Sequence, residues 1–157
     1  MTMKLGVILV LFILLVIVSR LSSAVEDGSL EDNNLTAQGK TKGFNVYNIT
    51  VEDTRFALIL VSTVISSGFA SPPPRAHTIG PDEDYHFEVA LNSTGASGAA
   101  GVIYEVVNPV YQRAIGRLSV SMGVKLGTPS TTYNYTRYEF FPINFNTGGT
   151  YITVRND

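Results

Sequence analysis

Alternation is the feature that most limits what this chain can fold into. Tyr85, Phe87, Val89 and Leu91 alternate with His86, Glu88, Ala90 and Asn92, a period of two that sends alternate side chains to opposite faces of a strand. The pattern returns where Leu118, Val120 and Met122 alternate with Arg117, Ser119 and Ser121, and again in residues 150–155 behind Gly148 and Gly149. Residues 44–51 and 55–63 are rich in strand formers and read as neighbouring strands. No stretch beyond residue 24 carries a helical period. About seven short strands separated by turn signals predict an all-β fold, a single-domain antiparallel β-sandwich.

That core must hold without covalent staples, because the chain has no cysteine. Its 157 residues suit one domain, and 45% hydrophobic with 15% charged residues is the composition of a packed protein. Part of the apolar content belongs to a targeting segment. Residues 5–18 are almost wholly aliphatic, follow Lys4, and lead to Ser22, Ser23 and Ala24. This is the pattern of a secretory signal peptide over residues 1–24, cut after Ala24. Residues 25–43, poor in apolar side chains, read as a flexible leader, and the sandwich domain as residues 44–157. The expected location is extracellular. Four sequons fit export and make Asn34, Asn48, Asn92 and Asn134 candidate glycan acceptors.

Charge and chemistry narrow the function. Without Lys4 and Arg20, nine basic residues face thirteen acidic ones, and four of those acids crowd residues 26–32. There is no basic stripe to follow a phosphate backbone, so nucleic acid is excluded as a partner. His77 and His86 are the only histidines, no serine sits in a nucleophile elbow, and no histidine has a second ligand at metal-binding spacing. The reading is therefore no catalytic residue, no metal site and no cofactor. Asp82, Glu83 and Asp84 read as a solvated turn, because a calcium loop needs alternating oxygen ligands and a spaced glycine. Pro72, Pro73 and Pro74 make an extended connector that belongs at a sheet edge or over the surface.

Residues 79–109 contain a Gly-Pro-Asp turn, the alternating strand, Gly95, Gly98 and Gly101 in a small-residue loop, a second strand from Val102 to Val107, and a closing Asn108-Pro109. Taken alone, they read as a hairpin with a bare connection. The same order resembles the middle of the aegerolysins, over about a fifth of the chain. The resemblance implies a small β-sandwich that binds membrane lipid, in a sphingolipid- or sterol-containing bilayer, with a larger protein as pore-forming partner in some members. It departs from the family in having no tryptophan and in carrying Ser97 where an acidic residue is frequent.

Aromatic side chains are the candidates for lipid contact, since a tyrosine ring is apolar while its hydroxyl stays wet. Tyr133 and Tyr135 lie in the densest aromatic segment, and Phe69 and Tyr111 lie in or beside loops. The competing reading sends the strand members of this set into the core. At the level of function, the alternative is a secreted structural or adhesive module that associates with itself or another protein and has no membrane target.

Overall fold

The computed structural model describes residues 39–51 and 55–156. The expected signal peptide of residues 1–24, the expected leader up to residue 38 with Asn34, and Glu52, Asp53, Thr54 and Asp157 lie outside them. Among the described residues there is no helix; nine strands build two packed sheets. The first sheet has the order β4 (Glu83–Ala90), β1 (Thr41–Asn48), β9 (Tyr151–Arg155), β8 (Asn144–Thr147). The second runs β3 (Thr78–Ile79), β2 (Ile59–Ile65), β5 (Ser97–Asn108), β6 (Arg113–Lys125), β7 (Thr128–Arg137). All pairings are antiparallel except that of β1 with β9. The chain is thus the all-β sandwich that the alternation predicts.

Period two determines what meets between the sheets. From the first sheet Phe44, Val46, Phe87, Val89, Ile152 and Val154 point inward, and from the second Leu60, Val102, Tyr104, Leu118, Val120 and Met122 meet them. Burying one such side chain stabilises by about 1.5–3 kcal/mol, which explains how the fold holds without disulfides. The partners of the odd-face residues, such as His86 and Glu88 on β4, remain exposed.

Two expected pairings are not formed. Strands β1 and β2 lie in different sheets, and so do β4 and β5. Residues 79–109 are therefore a crossover from one sheet to the other and not a hairpin. The reason for the small residues is contact. A Cβ on Gly98 would lie 2.2 Å from the Ala90 carbonyl oxygen, so the chain can turn between layers only if that position is bare. Gly98 and Gly101 are in strand β5, not in a loop, and β5 begins five residues earlier than Val102. Likewise β7 starts at Thr128, directly after a two-residue turn at Leu126 and Gly127, both with positive φ. Strand β1 starts at Thr41, so Thr41, Lys42 and Gly43 are its first rungs, opposite Ala90, Val89 and Glu88.

Asn48, at the end of β1, ties the two sheets together. It is fully buried and donates from Nδ2 to the Leu58 carbonyl at 2.8 Å and the Ile79 carbonyl at 3.1 Å. Its Oδ1 accepts from the Thr50 hydroxyl at 2.8 Å, and Thr50 Oγ1 accepts from the Leu58 amide. Both polar members of the sequon Asn48-Ile49-Thr50 are thus used inside the protein. Asn48 is corrected as a glycan acceptor: its amide nitrogen has no path to solvent, and a sugar there would displace the core.

Replacing Asn48 by alanine leaves two buried carbonyls without donors, each a loss of about 1–3 kcal/mol. Urea unfolding of Asn48→Ala should show a stability loss of about 2–4 kcal/mol with an unchanged slope. A loss below about 0.5 kcal/mol would mean that water replaces the amide and the tie is dispensable.

Candidate functional site

The end of the sandwich below Asn48 collects four connections: residues 49–58 between β1 and β2, residues 109–112 between β5 and β6, residues 138–143 between β7 and β8, and the polar turn of residues 80–82 between β3 and β4, which Asn48 touches at the Ile79 carbonyl. Some of their described backbone groups are bound inward. A second buried asparagine, Asn108, donates from Nδ2 to the Arg55 carbonyl at 2.8 Å and the Ala57 carbonyl at 3.3 Å. Its Oδ1 accepts from the amides of Val110 and Tyr111, both at 3.0 Å. Asn156 reaches the Phe56 carbonyl, the Ile49 amide donates to Val154, and the Tyr138 amide donates to Ile115. Between loops, the Arg113 guanidinium pairs with the Glu139 carboxylate at 2.6 Å, and the Phe56 and Phe141 rings meet edge-on at 5.9 Å.

Apolar side chains on the same loops are left outside. Seven of the eleven large hydrophobic side chains exposed among the described residues lie in the first three of these connections. Ile49, Val51 and Phe56 come from the first, Val110 and Tyr111 from the second, Tyr138 and Phe140 from the third. Phe140 is the extreme case at 89% exposure, beneath the Arg137 guanidinium at 5.3 Å from its ring. Arg113 covers the Tyr111 ring in the same way at 5.5 Å. Tyr138 turns back along the second sheet, where its hydroxyl donates to Glu105. At the opposite end Leu126 is the exposed apolar side chain.

The four aromatic residues singled out in sequence do not form one surface. Tyr111 belongs to the apolar end. Phe69 is half-buried beside the free edge of β4, where it bridges to Val89 and its ring lies 5.2 Å from Phe87. Tyr133 and Tyr135 come together on β7, with ring centroids 4.9 Å and 5.0 Å from Phe145 of β8, and close the opposite edge of the sandwich. Tyr135 also fills the space over Gly116, donates its hydroxyl to Ile115, and has its ionisation pushed up by burial. Phe69 and Tyr135 are thus partly buried, each with its ring packed against the core. Tyr133 stays partly exposed. The residues that sequence reasoning missed, Ile49, Val51, Phe56 and Val110, are single apolar positions in three separate segments. Only the topology brings them to one end. Phe140 lay inside the aromatic segment, where its neighbours on the strand drew attention away from it.

Of the remaining candidate acceptors, Asn92 is exposed in the crossover loop, its Oδ1 accepting from Thr94, Ala96 and Ser97. Asn134 is exposed on the outer face of β7, opposite Ser119. Among the described residues, no three His, Cys, Asp or Glu side chains are grouped to hold a metal ion, and no helix is long and apolar enough to cross a membrane. No protein-family model matches the chain, and no curated protein sequence matches it.

The proline connector lies along the free edge of β4, as its composition requires: the Ala70 amide donates to Glu88, and the Ala90 amide donates to Gly68. His77 anchors its far end. Its Nδ1 is 2.7 Å from the Arg75 carbonyl, which can only accept, so Nδ1 carries the proton and Nε2 accepts from the Tyr104 hydroxyl at 2.9 Å. The ring stacks on Tyr85 at 3.6 Å and meets Phe87 edge-on. Burial holds the His77 pKa below its ordinary value despite the opposing pull of the Arg75 carbonyl. The fold thus prefers neutral His77. Its contribution is complete above an ordinary histidine pKa of about 6.5 and is lost as pH falls below it. Unfolding free energy should drop between about pH 7 and pH 5, and His77→Gln, which keeps a donor and an acceptor, should flatten that drop. An identical pH profile in the variant would place the acid sensitivity elsewhere.

Proposed function

We propose that this domain is a secreted, aegerolysin-like lipid-binding module that meets the membrane with its apolar loop end and carries out no chemistry. The observation that carries the reading is the concentration of exposed apolar side chains on three adjoining loops that the buried Asn108 and the Val154 and Ile115 carbonyls tie to the sandwich. The amides of Ile49, Val110, Tyr111 and Tyr138 keep their partners when these loops enter the headgroup region. The order of turn, strand, bare crossover and strand in residues 79–109, which resembles the aegerolysins, supports the same reading. Arg113 and Arg137 lie over Tyr111 and Phe140, so their guanidinium groups can stay with the headgroups while the rings go deeper. Apart from the acidic leader the charges balance, and binding is set by lipid identity more than by anionic charge.

Burying Phe140 and Val110 would supply about 1.5–3 kcal/mol each, enough for two anchors to govern affinity. The full chain, expressed in a eukaryotic secretory host, should leave the cell with its N-terminus at Val25 and sediment with vesicles that contain sphingolipid and sterol. Raising salt to about 0.5 M should leave that binding largely intact. Val110→Ser with Phe140→Ser should weaken it at least about tenfold with the thermal midpoint unchanged, and Leu126→Ser at the opposite end should not weaken it. If the wild-type protein ignores every vesicle offered, the domain is the structural or adhesive module instead.

A further inference from the structure

The outer face of the first sheet is unlike the loop end. Strand register sets His86 of β4, Asn45 of β1 and Tyr151 of β9 side by side in one row across three strands. Two of the three rings and amides rest on glycines. A Cβ on Gly148 would fall 2.2 Å from the Tyr151 ring, and one on Gly43 would fall 2.8 Å from Cε1 of His86. Each ring therefore lies across a bare stretch of backbone and turns its other side outward. The planar groups also hold one another. Asn45 donates from Nδ2 to the Tyr47 hydroxyl at 3.0 Å, and its Oδ1 is 2.7 Å from Nδ1 of His86. Nε2 of His86 is 2.8 Å from Oε1 of Glu88, and Tyr47 meets Tyr151 edge-on at 6.5 Å. The row closes at the β4 side in a cleft of about 350 Å³ between Glu88 and Pro72, Pro73 and Pro74.

We propose that this row binds a neutral saccharide, with Tyr151 as the stacking ring and Asn45, His86 and Glu88 as partners for hydroxyl groups. A sugar has one face of C–H bonds and a rim of hydroxyls, so it needs an aromatic plane beside fixed donors and acceptors. The row offers these together and already ordered, which removes part of the entropy cost of binding. A lipid tail fits poorly, since no aliphatic side chain stands in the row. The Glu88 carboxylate is already paired with His86, and Arg75 is the other charged side chain at the cleft, so the row itself presents polar groups and a ring with no uncompensated charge. The face runs alongside the sandwich and not at its loop end, so this binding is independent of the membrane reading. The saccharide chemistry has two sources, a free glycan or a glycolipid headgroup.

The test uses isotope-labelled protein, residues 39–157 preceded by the leader, titrated with neutral tetrasaccharides of glucose, N-acetylglucosamine, galactose and mannose. At least one should shift the amides of Asn45, His86 and Tyr151, with a dissociation constant on the order of 0.1–1 mM. Tyr151→Ala should weaken it about tenfold or more, and Tyr151→Phe should retain it. Val110→Ser with Phe140→Ser should bind the sugar as the wild type does, which separates this site from the lipid site. Vesicles of phosphatidylcholine with and without glucosylceramide form the second arm. Binding confined to glucosylceramide vesicles and lost in Tyr151→Ala assigns a headgroup, and binding of a soluble tetrasaccharide assigns a free glycan. No amide shift at about 10 mM sugar together with no glucosylceramide dependence overturns the proposal. So does sugar binding that Tyr151→Ala leaves unchanged in a folded protein.

Discussion

The buried amide of Asn48 is the interaction on which the rest of the structure depends. A sandwich has a problem at its ends, where strands stop and loops must cross between layers with their backbone groups unpaired. Asn48 lies at such an end with no exposure and spans the layers, giving one proton to Leu58 and one to Ile79. Asn108 does the same for the neighbouring connection, with two donated and two accepted bonds. None of the buried side-chain nitrogen or oxygen atoms among the described residues lacks a hydrogen-bond partner. A half-satisfied polar group here would cost more than an apolar one, so these two networks are decisive for the end they hold.

From that constraint follows the character of the surface. Three of the connections at the Asn48 end carry Ile49, Val110 and Phe140 outward, while the amides of Ile49, Val110, Tyr111 and Tyr138 are bonded inward. The long face of the first sheet follows a different rule. There Asn45, Tyr47 and His86 hydrogen-bond to one another, and Gly43 and Gly148 leave room beneath the His86 and Tyr151 rings. Two surfaces of different chemistry thus come from one small core, one at the end of the strands and one along them.

Much of the fold was legible in the sequence. Period two in Tyr85 to Leu91 and in Leu118 to Met122 describes β4 and β6 with the correct faces, and the three prolines do lie at a sheet edge. The pairing of strands was less legible. A bare connection can close a hairpin or cross between layers, and the choice depends on Ala90 pressing on Gly98, which no local pattern reveals. Asn48 was misread for a related reason. Its sequon marks an acceptor only if the side chain is outside, and burial depends on β2 and β3, which are far along the chain. Phe69 and Tyr135 are aromatic residues near loops, and their sequence does not say that Phe87 and Gly116 leave spaces shaped for them. The apolar end was the least legible part. Its members are isolated positions in three segments, and topology alone assembles them.

The central claim, that the end held by the buried asparagines is the one that enters a bilayer, can be measured directly because the chain has no tryptophan. A tryptophan placed at Phe140 and, in a second protein, at Leu126 gives one reporter at each end of the sandwich. Vesicles containing sphingolipid, sterol and lipids brominated along their acyl chains would then be added. The account predicts blue-shifted, strongly quenched emission from position 140 and unshifted, unquenched emission from position 126. Equal quenching at both ends, or quenching only at position 126, would contradict it.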